Sequence, residues 1–317
     1  GPWDFELYLT FEICHLDLPT MFLHTFHPSS VLFTVGPLAI HWYGIFLVAG
    51  ITAGYALAHR AFRVAGIAGE LLERLMLSLL AGGLIGARLY HVLNELPYYL
   101  AHPLAIIAVW KGGLAIHGAI VGGLIALWWF VRREDTPTSI LPSFGKLRTG
   151  FFRGRDDKGL PPSKGGDGEG GVGLRYRMFT FLLLADLLVP SVALGQAIGR
   201  WGNYFNQELY GRPASLPWGI PIDAVNRVPG YEGYLYFHPT FLYESLWLAL
   251  VALMLFVALK RWARCEPFVA GRVFFSYLLL TGLGRFLTEF LRIDSMPYVF
   301  GVRLQQVVAG VLVGMGA

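Results

Sequence analysis

The run Phe179-Thr180-Phe181-Leu182-Leu183-Leu184-Ala185-Asp186-Leu187-Leu188-Val189-Pro190-Ser191-Val192-Ala193-Leu194-Gly195-Gln196-Ala197-Ile198 leads without a break into Gly199-Arg200-Trp201-Gly202-Asn203-Tyr204-Phe205-Asn206-Gln207-Glu208-Leu209-Tyr210-Gly211-Arg212. The first stretch is long enough to cross a bilayer, which takes about 20 predominantly apolar residues in helical form. The second then sets two arginines, a glutamate and two asparagines at or just inside a membrane boundary. Polar groups at that depth are costly, so they usually serve a substrate or each other. Charge, amide and glycine in one cluster suit the anionic headgroup of a lipid.

Composition agrees with that reading. Of 317 residues, 55% are hydrophobic and 15% charged, whereas soluble domains carry about 25% charged residues. The mean hydropathy is +0.53, and the apolar residues come in blocks, as in an integral membrane protein. The formal net charge of +4 is read as basic cytoplasmic loops, not as a nucleic-acid surface. Cys14 and Cys265 form no CxxC or Cys/His metal spacing, and neither has the sequence surroundings of a nucleophile. The N-terminus lacks Met and a basic n-region, so no cleavable signal peptide is expected.

The fold class expected is an all-α integral membrane protein: a seven-transmembrane-helix bundle with an interfacial N-terminal arm and a small extracytoplasmic segment. The arm is residues 1–37, with Phe22, Phe26 and Phe33 available to the headgroup layer. The membrane domain is residues 38–317. Its spans are expected over Ile40–His59, Leu71–Leu93, Gly113–Val131, Phe179–Ile198, Phe241–Leu259, Val273–Leu291 and Val302–Gly316. Basic residues crowd three alternate loops: Arg60, Arg63 and Arg74 in the first, Arg132 through Arg177 in the third, and Lys260, Arg261, Arg264 and Arg272 in the fifth. Those loops are then cytoplasmic, and the N-terminus and the segment 200–239 are outside. Residues 134–174, rich in Gly, Pro, Lys and Asp, read as a disordered cytoplasmic insertion. Glycines at four-residue spacing (Gly50/Gly54, Gly82/Gly86, Gly118/Gly122, Gly195/Gly199) indicate close helix packing, with Gly118 and Gly199 also able to make room for a polar neighbour.

Several spans carry charge. Arg285, Glu289 and Arg292 share one helical face. An arginine inside a span costs about 2.5–3.5 kcal/mol on insertion scales, which a carboxylate partner offsets in part. The plain alternative is a structural ion pair near the helix end. His117 lies one turn into an apolar helix; it is either a satisfied packing histidine or a proton carrier near neutral pH. Arg88, His91 and Glu95 follow one another at helical turns. Tyr43 is a belt aromatic by default and a hydrogen-bond donor to a lipid ester by alternative. Glu244 stands at the start of the fifth span, where it favours the helix N-terminus or holds an arginine. Together these residues form the outfit for substitution at a phospholipid: arginines to grip phosphate and a histidine to deprotonate a nucleophile. A lipid-binding scaffold without activity would use the same residues. So would a transporter of anionic solutes, although no inverted repeat is visible.

The chain resembles the prolipoprotein diacylglyceryl transferases of bacteria. The likeness is carried by Gly199-Arg200, Gly202-Asn203, Asn206 and Glu208-Leu209-Tyr210-Gly211-Arg212. It extends to His41-Trp42-Tyr43-Gly44, Gly86-Ala87-Arg88, Gly112-Gly113-Leu114-Ala115-Ile116-His117-Gly118, His238-Pro239 with Tyr243-Glu244, and Arg285 with Glu289-Phe290 and Arg292. It covers nearly the whole chain outside the arm and the 134–174 insertion. The resemblance implies transfer of a diacylglyceryl group from phosphatidylglycerol to the lipobox cysteine thiol of a prolipoprotein. A thioether forms and glycerol phosphate leaves, in the first step of lipoprotein maturation. Implied partners are phosphatidylglycerol, prolipoprotein signal peptides with a lipobox cysteine, and membrane lipids, with no nucleic acid, no metal and no cofactor. The implied location is the bacterial inner membrane, with the N-terminus outside and the C-terminus cytoplasmic. On this resemblance His117, Arg200 and Arg285 are the expected catalytic residues. Tyr43, Arg88, Asn203, Glu208, Arg212, Glu244, Glu289 and Arg292 are expected to bind substrate. Three features depart from the family pattern: Ala119 follows Gly118, Ala309 replaces a serine after Gln305-Gln306, and the cytoplasmic insertion is atypical.

Overall fold

A computed structural model describes residues 22–36, 38–109, 112–133, 170–262, 269–294, 298–299 and 302–316. Cys14, Cys265, the first part of the arm and residues 134–169 of the expected insertion lie outside the described residues. In chain order the described elements are α1 (Phe22–Thr25), the hairpin β1 (Val31–Val35) and β2 (Leu38–His41), α2 (Trp42–Val64), α3 (Gly69–Asn94), α4 (Leu96–Ala101) and a 3-10 turn (Pro103–Ile107). They continue with α5 (Ile116–Arg133), α6 (Gly170–Phe205), the short antiparallel pair β3 (Ile220–Pro221) and β4 (Tyr236–Phe237), α7 (Thr240–Trp262), and α8 (Arg272–Glu289). The pair β5 (Tyr298–Val299) and β6 (Val302–Arg303) and then α9 (Leu304–Gly316) complete them.

Among the described residues, four helices are long and apolar enough to cross a membrane: Trp42–Val64, Gly69–Asn94, Arg177–Phe205 and Thr240–Trp262. The protein is therefore mostly helical and multi-pass. α5 and α8 hold 18 residues each and carry charge at or near their ends, and the apolar helix Gln305–Gly316 is shorter. Most helix bounds differ from the expected spans by a few residues, and two of the differences have identifiable reasons. α5 starts at Ile116 rather than Gly113, because Gly112 and Gly113 adopt φ of +88° and +74°, a left-handed conformation that no α-helix continues through. α6 runs on past Ile198 to Phe205 and stops where Gln207 and Leu209 take φ of 52° and 58°. At its other end α6 begins at Gly170, inside the stretch that composition assigned to the insertion.

The described chain forms two compact units. The first takes in residues up to Leu57, Val189–Val257 and the residues from Phe274 onward; the second takes in Ala58–Leu188 and Ala258–Val273. In the first unit, α2 lies against α6 through glycines: a Cβ on Gly50 would fall 3.0 Å from the Gly195 carbonyl oxygen, and one on Gly54 would fall 3.2 Å from that of Ser191. Beyond the end of α6 an aromatic core is built from Tyr204, Tyr210, Ile220, Ile222, Phe237 and Phe241, all buried. Tyr204 stacks on Phe241 at 4.6 Å between ring centroids. In the second unit α3 and α5 cross at Gly82, Gly86, Gly118 and Gly122; a Cβ on Gly86 would meet the Gly118 carbonyl and would lie 2.8 Å from Gly122 Cα. So close an approach of two backbones excludes any larger residue.

Candidate functional site

The residues after Ile198 do their work at the end of α6 in the first unit. Trp42 and Phe46, at the start of α2, stack on Phe205 at 4.6 and 5.5 Å. This seats the neighbouring Tyr43 ring over Gly202, where an added Cβ would lie 2.7 Å from Tyr43 Cδ2. Past Phe205 the chain reverses. Asn203 Nδ2 and Asn206 Nδ2 both donate to Glu208 Oε1, at 2.8 and 3.2 Å. Gln207 is buried and spans the turn: its Nε2 donates to Asp223 Oδ2 and to the Pro28 carbonyl, and its Oε1 accepts from Asp223 N at 2.7 Å. The left-handed backbone at Gln207 is thus held by bonds to two distant segments. Gly211 N donates to the His238 carbonyl, Arg212 N to the Leu291 carbonyl at 2.8 Å, and Thr240 Oγ1 to the Leu209 carbonyl. These bonds tie the turn to the start of α7 and the end of α8.

Those ties bring charges from three helices together. Arg200 Nε lies 2.8 Å from Glu244 Oε2, and Arg285 Nη1 lies 3.0 Å from Glu244 Oε1. Thr288 Oγ1 donates to the same Oε1 at 3.1 Å. Arg285 Nη2 also reaches Glu289 Oε2 at 3.3 Å, one helical turn along α8. Behind this front pair the network is sealed. The Glu289 side chain is 0% exposed and that of Arg292 1%. Arg303 Nε approaches Glu289 Oε1 at 3.3 Å, and its Nη1 donates to the Arg292 carbonyl at 2.6 Å. Asp294 Oδ1 accepts from Arg292 Nε at 2.8 Å. Burial alone would raise the Asp294 carboxyl, but the hydrogen bond from Arg292 and the charges of Arg292 and Arg303 outweigh it and hold that pKa below the ordinary carboxylate value.

The charge balance matters. Four guanidinium groups (Arg200, Arg285, Arg292, Arg303) face three carboxylates (Glu244, Glu289, Asp294), which leaves one positive charge. The open side chains are Arg200 and Arg285, at 26% and 22% exposure, while the carboxylates are more deeply buried. The accessible edge of the cluster is therefore cationic and suited to a singly charged phosphodiester, which guanidinium groups bind in bidentate fashion.

The sequence reading is met unevenly by these positions. Arg200, Arg285, Glu244, Glu289 and Arg292 come together in one network, with Tyr43, Asn203 and Glu208 on the adjoining stretch of chain. Arg212 is exposed and has no part in the ion pairs of that network. Arg303, Asp294 and Gln207 belong to it or brace it and were not singled out. Arg303 had one signal, its place as the lone charge at the foot of the last apolar run.

Arg88 and His117 lie in the second unit. Arg88 is buried and spends its guanidinium on backbone carbonyls: Nε on Ile106 at 2.8 Å, Nη1 on Gly112 and Gly113 at 2.6 and 3.0 Å, and Nη2 on Ala105 at 2.5 Å. It also stands over the Tyr99 ring at 5.3 Å. A Cβ on Gly113 would fall 2.6 Å from the His91 ring and 2.7 Å from Arg88 Nη1, so both the conformation and the space there demand glycine. This loop delivers the chain to α5, whose second residue is His117; its exposed ring lies 5.9 Å from that of Tyr90.

Comparison with known proteins gives a consistent answer. A family model described as Prolipoprotein diacylglyceryl transferase matches residues 30–144 and 170–317. A protein of Trichormus variabilis named phosphatidylglycerol–prolipoprotein diacylglyceryl transferase is 36% identical over 301 residues, covering 94% of this chain and 91% of its own length. One of the same name from Gloeobacter violaceus is 37% identical over 291 residues, covering 90% of each chain. A third, from Nostoc, is 36% identical over 301 residues, with 94% and 90% covered. With both stretches of the family pattern matched, and with relatives above 30% identity along nearly its full length, this chain belongs to the prolipoprotein diacylglyceryl transferase family.

Proposed function

We propose that this protein transfers the diacylglyceryl group of phosphatidylglycerol to the lipobox cysteine thiol of prolipoproteins. The thiol sulfur attacks the glycerol carbon that carries the phosphate. A carbon–sulfur bond forms, the carbon–oxygen bond to phosphate breaks, and glycerol phosphate departs with the electron pair. The observation that carries this reading is the convergence of Arg200 and Arg285, from separate helices, on Glu244. Two guanidinium groups held in advance need little reorganisation as charge develops on the leaving phosphate. Arg292, Glu289 and the Asn203–Glu208 pair hold that front in shape, Tyr43 bears on the lipid, and Arg212 offers a second cationic contact to it. The family resemblance assigns the thiol's proton to His117, a side chain suited to the task near neutral pH. The family resemblance has Arg88 bind substrate, and within its own unit Arg88 fastens the Gly112-Gly113 loop. The nucleophile belongs to the substrate.

The same reading has seven spans in the inner membrane of a bacterium, with the N-terminus outside. To the four long apolar helices it adds α5 and α8, each about 27 Å long at the helical rise, and α9. The test is transfer of label from phosphatidylglycerol to a lipobox peptide by the purified protein. Wild type releases glycerol phosphate only when thiol is present, and Arg285→Ala inserts normally but transfers nothing. Normal transfer by Arg285→Ala refutes the assigned role.

A further inference from the structure

Behind the arginine pair, α6 and α8 carry polar groups at a depth where only apolar ones are expected. Gln196 stands one turn before Arg200 on the same face of α6, inside the candidate span Arg177–Phe205. On α8, Tyr277, Thr281 and Arg285 follow at i, i+4 and i+8. The two helices meet here: Tyr277 OH donates to Gln196 Oε1 at 3.3 Å. Thr281 satisfies itself on the Tyr277 carbonyl at 2.6 Å, so the bond from Tyr277 is what fixes the Gln196 amide. Gln196 is nevertheless exposed, and its two N–H donors have no partner among the described residues. Beside it, a Cβ built on Gly199 meets nothing within 4 Å, so the turn between Gln196 and Arg200 is open. An amide left exposed within a span is expensive unless it faces a polar ligand or water.

Depth identifies the ligand group. Gln196 lies about 6 Å from Arg200 along the helix axis. The hydrocarbon core accounts for about 30 Å of the about 40–45 Å bilayer, leaving about 5–8 Å of interface on each side. A phosphate held at Arg200 and Arg285 therefore puts the ester carbonyls of the same lipid, at the inner edge of that interface, level with Gln196. An ester carbonyl accepts a hydrogen bond well, and an ether oxygen in its place has no carbonyl to offer. We propose that Gln196, braced by Tyr277, donates a hydrogen bond to an acyl ester carbonyl of the bound phospholipid and so selects diester over diether lipids. This rests on the proposed function for the identity of the lipid, while the hydrogen-bonding subsite stands on the geometry.

The experiment separates binding from transfer. Fluorescent phosphatidylglycerol is displaced from purified wild type, Gln196→Leu and Tyr277→Phe by diester or by diether phosphatidylglycerol, and transfer to a lipobox peptide is measured alongside. Wild type is expected to hold the diester about fivefold more tightly, the worth of one net hydrogen bond. Gln196→Leu should lose that preference through weaker diester binding alone. Tyr277→Phe, which leaves the amide in place but unbraced, should narrow it. Equal affinity of wild type for both lipids, or an unchanged preference in Gln196→Leu, overturns the subsite. A wild-type protein that prefers the diester yet transfers nothing overturns the proposed function and leaves the subsite standing.

Discussion

Two guanidinium groups side by side repel each other, and more strongly as water is withdrawn. Glu244 lies between Arg200 and Arg285 and cancels that repulsion, with one carboxylate oxygen for each. Because both oxygens are engaged, the arginines approach a ligand with defined orientation and without rotating freely. Glu208 does a humbler task, accepting from Asn203 and Asn206 at the exposed end of the same stretch. The two glutamates should therefore differ under the same substitution. Glu244→Gln keeps the shape but removes the charge that holds two cations, which is worth about 3 kcal/mol for a buried pair, or roughly a hundredfold in rate. The loss should fall on kcat/KM for phosphatidylglycerol. Glu208→Gln should lose no more than about tenfold, within what a single exposed hydrogen-bonded pair supplies. Steady-state kinetics of the two purified variants decide it, and equal losses would mean that Glu244 has no special hold on the arginines.

At the scale of elements, the long apolar helices were plain from composition because a membrane span announces itself by an uninterrupted run, as Phe179–Ile198 does. Their ends were not. α5 could not begin at Gly113 once Gly112 and Gly113 went left-handed, and that conformation is imposed by Arg88 drawing in the loop carbonyls, a tertiary cause that no local pattern reveals. The same holds for the site. Arg285, Glu289 and Arg292 share a helical face and could be grouped by spacing. Arg303 joins them only because β5 and β6 bring the chain back to the end of α8, and Gln207 earns its burial from Pro28 and Asp223, both far away in sequence. Helix packing by glycine was legible as spacing, yet spacing could not say which glycines are in contact. That distinction is testable. Gly86→Val drives a side chain into the Gly118 carbonyl and Gly122, whereas Gly199→Ala adds a methyl where there is room. Overpacking costs about 1–3 kcal/mol or more, so Gly86→Val should unfold at a clearly lower temperature in detergent. Gly199→Ala should unfold like wild type or slightly above it, since alanine favours a helix by about 1 kcal/mol. Matching unfolding curves for the two would contradict the glycine crossing between α3 and α5.

For the whole molecule the open physical problem is which end of each helix faces the cytoplasm. Arginines alone do not answer it, because helix C-termini attract cations on either side of a membrane. Arg132, Arg133, Lys260 and Arg261 stand in the last turns of α5 and α7, while Arg200 and Arg285 lie about one turn in from the C-terminal ends of α6 and α8. The arginines of the site face Glu244, Glu289 and Asp294 at close range, which leaves them little net charge to resist translocation. Arg132 and Arg133 instead lean over Trp128 and Trp129, at 5.6 and 4.1 Å, the pattern of an interfacial aromatic with a cation beside it. The proposed topology, read from the basic loops, puts the Arg261 end of α7 in the cytoplasm and its Thr240 end outside. Val225, in a second 3-10 turn (Ala224–Asn226) ahead of α7, is 89% exposed, and Arg261 is exposed at the far end of α7. In a background with Cys14 and Cys265 changed to serine, Val225→Cys should react with a membrane-impermeant maleimide in intact cells. Arg261→Cys should react only after the membrane is opened. The reverse pattern would turn the molecule over and put the arginine pair on the cytoplasmic side, away from the thiol of an exported substrate.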